Sequence, residues 1–342
     1  MAVSFAGWPV AGLLLMLGGC GLVLLTAGVR FTRIVDEIAD RTGIGEALAG
    51  AVLLGATTSL PGLVTSIAGA AAGDAGFAMS NALGGIAAQT TFLAVADLAY
   101  RRVNLEHAAA SVPNMVQSMT LIALIGVVLA AAAGPDVTGW VVHPATPLLL
   151  AVYGYGLLLV RRSSERPMWR PLTTEDTVAD EPGDTARPES NRRLWIEFAV
   201  LAAAVAGTGW VIAHSGLALA DRTGLSGSLV GGLFTSVITS LPELVTVLAA
   251  VRIGAVTLAV ADIIGGNTFD VLFVAAADLA YRGGSIYHAA DRSAIFVTAL
   301  AVLLTATLAA GLLGRERRHI GFEGVAILVF YGLGVASLVA MD

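Results

Sequence analysis

One short polar motif occurs twice inside otherwise apolar segments of this 342-residue chain. Thr58-Ser59-Leu60-Pro61 recurs as Thr239-Ser240-Leu241-Pro242, and both copies continue, after one differing residue, with Leu-Val-Thr. Proline lacks an N–H and clashes with the preceding turn, so it breaks or kinks a helix and frees carbonyl groups. Together with the Thr and Ser hydroxyls, these carbonyls are oxygen ligands for a hard cation. A kink that serves packing alone is the alternative, although two symmetric copies favour a site.

Two carboxylates accompany the second copy of the motif. Glu243 directly follows Pro242, and Asp270 lies in the next apolar segment, after Gly265-Gly266. An ionised group at membrane depth costs several kcal/mol, so such residues usually mark ion pathways or proton relays. A protonated or paired acid with a structural role is the alternative for either residue. Carboxylate, carbonyl and hydroxyl oxygens suit Ca²⁺ and Na⁺, and no Cys/His cluster suggests a softer metal.

The composition places these motifs in a membrane protein. Hydrophobic residues make up 56% of the chain, charged residues 13%, and the mean hydropathy is +0.82. A soluble domain normally has about a quarter charged residues, whereas a bilayer span needs about 20 mostly apolar ones. The single cysteine, Cys20, lies in an apolar run and is interpreted as a packing residue.

Ten membrane spans are predicted from the apolar runs, which makes the fold class all-α. A charged, proline-containing stretch at 161–193 is predicted to be a solvated linker between two halves, 1–160 and 194–342. The predicted spans lie near 8–29, 44–72, 76–99, 107–133, 143–160, 194–215, 226–251, 255–280, 290–313 and 320–340.

The two halves are related by an internal duplication. Five motifs recur in one ungapped register of 181 positions, which chance does not produce. Besides the Thr-Ser-Leu-Pro motif, the pairs are Asp40-Arg41-Thr42-Gly43 with Asp221-Arg222-Thr223-Gly224, Gly84-Gly85 with Gly265-Gly266, the segment 96–101 with 277–282, and His107-Ala108-Ala109 with His288-Ala289-Ala290. The Gly-Gly pairs are predicted to allow close approach of helices.

An odd number of spans per half predicts that the halves are inverted in the membrane. Alternating loops place sixteen of the nineteen arginines on one side, which the positive-inside rule makes cytoplasmic. The sequence therefore predicts a multi-pass plasma-membrane protein with both termini outside and a cytoplasmic linker. Inverted repeats with interrupted apolar segments are typical of secondary transporters whose site lies near the midplane.

The two motifs, each followed by a helix containing Gly-Gly, resemble the α-repeats of the cation/Ca²⁺ exchanger superfamily, of which Na⁺/Ca²⁺ exchangers are the best-known branch. The resemblance covers both repeats and the ten-span plan. It implies ten helices in two inverted five-helix halves and transport by alternating access. It also implies ion coordination by the acid after Ser-Leu-Pro, by the Thr-Ser pair and by a polar residue in the third helix of each half. Carried over by position, these ligands are Thr58, Ser59, Thr239, Ser240, Glu243 and Asp270.

The first half departs from the family pattern. Gly62 stands where the family has glutamate, Gln89 stands where asparagine or aspartate is usual, and Gly85 and Gly266 replace a small serine. The first half therefore brings no carboxylate, although Gln89 can offer a carbonyl oxygen. Fewer negative charges should weaken Ca²⁺ binding and could favour fewer coupled ions, or a proton in place of Na⁺.

Three further acids have open or structural interpretations. Asp262 lies two helical turns before Asp270 on roughly the same helix face. It could replace the missing charge, carry a proton, or be solvated near the membrane surface. Asp97 and Asp278 are symmetric, and each is predicted to form an ion pair with the arginine four residues later, Arg101 or Arg282.

The function predicted from these features is a secondary active cation antiporter that exchanges Ca²⁺ against Na⁺ or H⁺. Two alternatives stay open: an exchanger-fold transporter of altered selectivity, for a monovalent or another divalent cation, and a relative that kept the fold and lost transport. An enzyme is not indicated, because no nucleophile–base pair or metal-ligand motif lies outside the repeats. The expected partners are the lipid bilayer and inorganic cations. No cofactor and no nucleic acid is expected, and protein partners are not predicted.

Overall fold

The computed structural model describes residues 5, 7–42, 55–100, 104–105, 111–137, 142–165, 191–253, 256–314 and 320–342, and every regular element among them is helical. The first half contains α1 Val10–Thr42, α2 Gly55–Thr58, α3 Leu60–Ala71, α4 Ala75–Ala99, α5 Val112–Ala133 and α6 Ala145–Glu165. The second half contains α7 Asn191–Thr223, α8 Gly227–Thr239, α9 Leu241–Ile253, α10 Val256–Asp270, α11 Leu272–Ala280, α12 Ile286–Ala289, α13 Arg292–Gly314 and α14 Phe322–Met341.

Length and composition make much of this helical set suitable for a bilayer. Within the described residues, six helical segments are long and apolar enough to cross a membrane, and one of them, Ala259–Ala280, combines parts of α10 and α11. The bent pair α8–α9 makes a seventh candidate. The predicted all-helical class is confirmed, whereas the count of ten spans in two five-helix halves stays a prediction. Residues 166–190 of the predicted linker lie outside the described residues, and the linker's two ends belong to α6 and α7.

Both Ser-Leu-Pro motifs interrupt a helix, as their prolines predict. The break separates α2 from α3 at Ser59, and it separates α8 from α9 at Ser240, where the two helices form an angle of 42°. The two breaks have matching backbone hydrogen bonds: Ser59 N donates to Gly55 O at 3.0 Å, and Ser240 N donates to Ser236 O at 3.1 Å. Similar sequences in the two halves therefore give similar local structure.

Two glycines allow long helices to cross the two breaks. A Cβ on Gly209 of α7 would lie 2.5 Å from the carbonyl oxygen of Pro61, and a Cβ on Gly28 of α1 would lie 3.0 Å from Cα of Pro242. Gly28 and Gly209 are themselves 181 positions apart. Each break is thus covered by the first helix of the opposite half, and only glycine permits so close a contact.

The most buried helices are α4 and α10. Every residue from 75 to 91 is buried, as is most of 259–268, and a helix that is apolar on all sides belongs in the interior. Large apolar side chains on the outer helices are instead exposed, among them Leu15 at 77%, Leu22 at 66% and Val200 at 65%. This arrangement suits a bundle whose periphery faces lipid and whose central helices carry the polar residues.

Candidate ion-binding site

The two carboxylates of the second half lie in the interior of the bundle. Glu243 is in the first turn of α9 and is 2% exposed, and Asp270 ends α10 and is also 2% exposed. Ser59 joins them, because its Oγ donates to Glu243 Oε1 at 3.4 Å and its hydroxyl also contacts the Asp270 carboxyl. The break of the first half thus faces the acids of the second half.

Gln89 of α4 connects the first half to the same acids. Its Nε2 donates to Asp270 Oδ2 at 2.7 Å and to Ser240 Oγ at 3.3 Å. Gln89 and Asp270 are 181 positions apart, so these two symmetric positions of the repeats meet directly. The amide holds one carboxylate oxygen and leaves its own carbonyl oxygen for another partner.

The two threonines of the motif have equivalent surroundings in the two halves. Thr58 Oγ1 donates to Gly55 O at 3.1 Å, and Thr239 Oγ1 donates to Ser236 O at 3.1 Å. The Thr58 side chain also contacts the Glu243 carboxyl. Both hydroxyl oxygens lie at the helix breaks, where they are candidate neutral ligands for a cation.

Among the described residues, five buried oxygens in this region of the bundle accept no hydrogen bond. They lie on the central helices α4 and α10 or just after the second proline break. All of them are carboxylate or amide oxygens. They are Gln89 Oε1, Glu243 Oε2, Asp262 Oδ1, Asn267 Oδ1 and Asp270 Oδ1. Buried polar atoms are nearly always hydrogen-bonded, and a group of oxygens without donors fits a bound cation.

Asp262, a member of this group, is connected to Glu243 through Thr246. Its Oδ2 accepts a hydrogen bond from Thr246 Oγ1 at 2.8 Å, and the same hydroxyl contacts Glu243 O at 2.9 Å. Within the described residues, no three Asp, Glu, His or Cys side chains converge closely enough to hold a metal. A cation near Glu243 and Asp270 therefore requires the neutral oxygens as well, and a ligand role for Asp262 stays a prediction.

Sequence reasoning missed several residues at this site. Asn267 is fully buried, and its Nδ2 donates to Thr90 Oγ1 at 3.1 Å. Its position between Gly266 and Asp270 in an apolar helix was the available signal. Thr246 and Phe273 gave no comparable signal, because their roles depend on contacts between helices.

The glycines of the first repeat have different surroundings. A Cβ on Gly84 would lie 2.6 Å from Gly232 O, which confirms the close helix approach predicted there. A Cβ on Gly62 would lie 3.0 Å from the ring of Phe273 and 3.7 Å from Thr239 Oγ1. Gly62 therefore faces the site, and the Phe273 ring fills the space that a larger residue would need.

The ion pair predicted between Asp278 and Arg282 is wrong. Asp278 Oδ2 accepts hydrogen bonds from His143 N at 3.0 Å and from Thr146 Oγ1 at 2.7 Å, while Arg282 is exposed. The buried carboxylate is hydrogen-bonded to a backbone N–H just before α6 and to a hydroxyl within α6, and these donors take the place of the predicted arginine. The corresponding arginine of the first half, Arg101, lies outside the described residues.

Comparison with known proteins identifies the family and the fold of this chain. The family described as Sodium/calcium exchanger protein matches residues 12–161 and 194–340. CaxA of Alkalimonas amylolytica, described as an antiporter, is 27% identical over 315 residues, which is 91% of this chain and 94% of that protein. Among solved structures, the H⁺/Ca²⁺ exchanger CAX has a TM-score of 0.67 at 13% identity and covers 96% of this chain and 86% of its own. The sodium-calcium exchanger NCX_Mj, soaked with 10 mM Na⁺ and no Ca²⁺, has a TM-score of 0.61 at 18% identity and covers 95% of this chain and 99% of its own.

The chain belongs to the sodium/calcium exchanger protein family, because that match extends over most of its length. The resemblance to the cation/Ca²⁺ exchanger superfamily is thereby confirmed. The protein is a multi-pass membrane transport protein rather than an enzyme. The solved structures, at their low identities, show the shared fold.

Proposed function

We propose that this protein is a secondary active antiporter that exchanges Ca²⁺ against Na⁺ or H⁺ by alternating access. Transport would use the site around Glu243 and Asp270. The observation that carries the proposal is the set of five buried acceptor oxygens without donors on Gln89, Glu243, Asp262, Asn267 and Asp270. Hydrogen-bond donors would leave such atoms satisfied, whereas a hard cation needs them free.

The charge of the site supports a divalent ion. Glu243 and Asp270 are buried side chains that both contact Ser59, so one Ca²⁺ would balance their two negative charges. The neutral ligands would be Thr58, Ser59, Thr239, Ser240 and Gln89. Ca²⁺ takes six to eight oxygens in flexible geometry, which such a mixed set can approach.

Na⁺ and H⁺ would use the same carboxylates in different ways. Protons would neutralise Glu243 and Asp270 without further ligands, whereas Na⁺ needs several of the neutral oxygens at once. Gly62 stands where a glutamate would add a third carboxylate to Glu243 and Asp270. With two carboxylates, the site balances fewer positive charges than it would with three. We therefore expect a small number of counter-ions per Ca²⁺.

An ion-flux panel on purified protein in lipid vesicles tests the proposal. Uptake of ⁴⁵Ca²⁺ would be measured with outward Na⁺, H⁺ and K⁺ gradients imposed singly. We expect uptake with the Na⁺ or the H⁺ gradient and none above empty vesicles with K⁺. Transport of a monovalent ion without Ca²⁺ would indicate altered selectivity, and loss of flux under every gradient would indicate a relative that no longer transports.

A further inference from the structure

A second pair of buried carboxyls lies where the end of α4 meets the start of α14. Asp97 is 3% exposed and Glu323 is fully buried. Asn104 Nδ2 donates to Glu323 Oε1 at 2.5 Å, and Leu105 N donates to Asp97 Oδ1 at 2.7 Å. Asp97 lies eight residues beyond Gln89 on the same helix, about 12 Å along its axis, so this pair is separate from the central site.

The inverted repeat provides an internal comparison for Asp97. Its symmetric residue, Asp278, accepts from Ile286 N at 3.4 Å, just as Asp97 accepts from Leu105 N. The other oxygen of Asp278 accepts from His143 N and Thr146 Oγ1. In the second half this buried carboxylate is therefore fully satisfied by protein donors.

The first half differs at two of the corresponding positions. In the register of 181, Ile327 stands where Thr146 would be, and Glu323 stands where the other half has Val142. Asp97 Oδ2 faces this region, since a Cβ on Gly324 would lie 3.5 Å from it. Two substitutions between the halves have thus removed a hydroxyl donor and added a second carboxylate.

Within the part of the chain that the structure describes, each carboxyl of the pair has one oxygen that accepts no hydrogen bond. Asp97 Oδ2 and Glu323 Oε2 are both buried and accept no hydrogen bond, and the two groups are close enough to interact as charges. Glu323 lies in the first turn of α14, where the N-terminus of a helix favours a negative charge. Two neighbouring buried carboxyls, each with an oxygen that accepts no hydrogen bond, are suited to binding a hard cation.

We propose that Asp97 and Glu323 form a second binding site, for a hard divalent cation, separate from the transport site. One oxygen of each carboxylate would bind the ion, and carboxylate oxygens are ligands that both Mg²⁺ and Ca²⁺ accept. The ion would connect the end of α4 to the start of α14, on the side that the arginine distribution predicts to be cytoplasmic. Its role would be to hold these two helices together.

Calorimetric titration of the purified protein tests this site, with Ca²⁺ and, separately, Mg²⁺. The Glu243→Gln variant serves as the background, because it disables the central site. We expect one divalent ion per chain to bind to that variant and its affinity to fall at least tenfold when Glu323→Gln is added. Glutamine keeps an acceptor for Asn104 and removes the charge.

Two control variants keep the test informative. Asp278→Asn, at the symmetric position, should leave cation binding unchanged. Glu323→Val with Ile327→Thr places the residues that surround Asp278 (Val142 and Thr146) at the corresponding positions near Asp97, and the variant should fold and lose cation binding.

Residual binding that is unaffected by Glu323→Gln, or no residual binding to Glu243→Gln, would overturn the proposal. A proton shared between the two carboxyls would give the second result. If the central site is wrong instead, Glu243→Gln alone will not reduce binding.

Discussion

At the scale of single residues, Asp270 is held in place by other side chains. Gln89 Nε2 donates to one oxygen of its carboxylate, and the other oxygen, Oδ1, accepts no hydrogen bond from the described residues. We expect Asp270→Asn to weaken Ca²⁺ binding about 100-fold, which corresponds to ~3 kcal/mol, because the charge is lost while the shape is kept. Calorimetry on purified protein measures this effect. Asp136→Asn is the matched control, since Asp136 is exposed, and equal losses in both variants would argue against a role for Asp270.

The missing acid of the first half leads to a paired prediction. A glutamate at position 62 would face Thr239, but its Cβ would press on the Phe273 ring at 3.0 Å. We expect Gly62→Glu combined with Phe273→Ala to bind Ca²⁺ about tenfold more tightly than Phe273→Ala alone, a gain of ~1.4 kcal/mol. Gly62→Glu by itself should gain less. An affinity that does not change in the double variant would show that position 62 does not reach the ion.

The sequence predicted those site residues whose type is unusual in an apolar segment or whose position matches a repeat. Glu243 and Asp270 stand out because a carboxylate in an apolar segment is costly, and Gln89 follows from its alignment with Asp270. Phe273 and Thr246 could not be predicted in the same way. An aromatic or a hydroxyl residue in a membrane helix has many possible roles, and only the packing of the helices shows that each contacts the site.

At the scale of helices, close packing on the two proline breaks is the main constraint. Gly209 meets the backbone of Pro61, whereas Gly207, two residues earlier on α7, has no atom within 4 Å of a Cβ placed on it. We expect Gly209→Ala to destabilise the protein by about 1–3 kcal/mol through overpacking and to reduce transport. Thermal unfolding and ⁴⁵Ca²⁺ uptake measure the two effects. Gly207→Ala should be neutral, and similar behaviour of both variants would contradict this packing.

The helix breaks were predictable and other features of the helices were not. Pro61 and Pro242 interrupt their helices for local steric reasons that any sequence shows. The π-helical segment Val230–Thr235 lies within α8, and its Gly231 packs against the backbone of Phe77, a contact between helices that the sequence does not show. Helix α1 extends to Thr42, well beyond the predicted span at 8–29. The charged residues after position 29 had favoured a loop.

At the scale of the whole molecule, the inverted arrangement predicts which loops face the cytoplasm. Asp136 follows α5 and Arg162 lies near the end of α6, and both are exposed. In a chain whose buried cysteine has been removed by Cys20→Ala, we expect Asp136→Cys to react with a membrane-impermeant maleimide in intact cells. Arg162→Cys should react only after permeabilisation. Reaction of both on the same side would refute the predicted topology.

The duplication made the whole-molecule plan the easiest part to predict, because the register of 181 positions is visible in the sequence alone. The asymmetry between the halves had consequences that the sequence did not show. Ile327 and Glu323 look ordinary in isolation, and their importance appears only when Asp97 is compared with the fully hydrogen-bonded Asp278.

The central claim is that Glu243 binds the transported cation between the two proline breaks. The most direct test is ⁴⁵Ca²⁺ uptake into vesicles under the gradient that drives the unmodified protein, with Glu243→Gln compared to Asp136→Asn. Since Glu243 Oε2 is buried and unpaired, we expect Glu243→Gln to reduce uptake to the level of empty vesicles while Asp136→Asn transports normally. Gradient-driven Ca²⁺ uptake that persists in a folded Glu243→Gln protein would contradict the account.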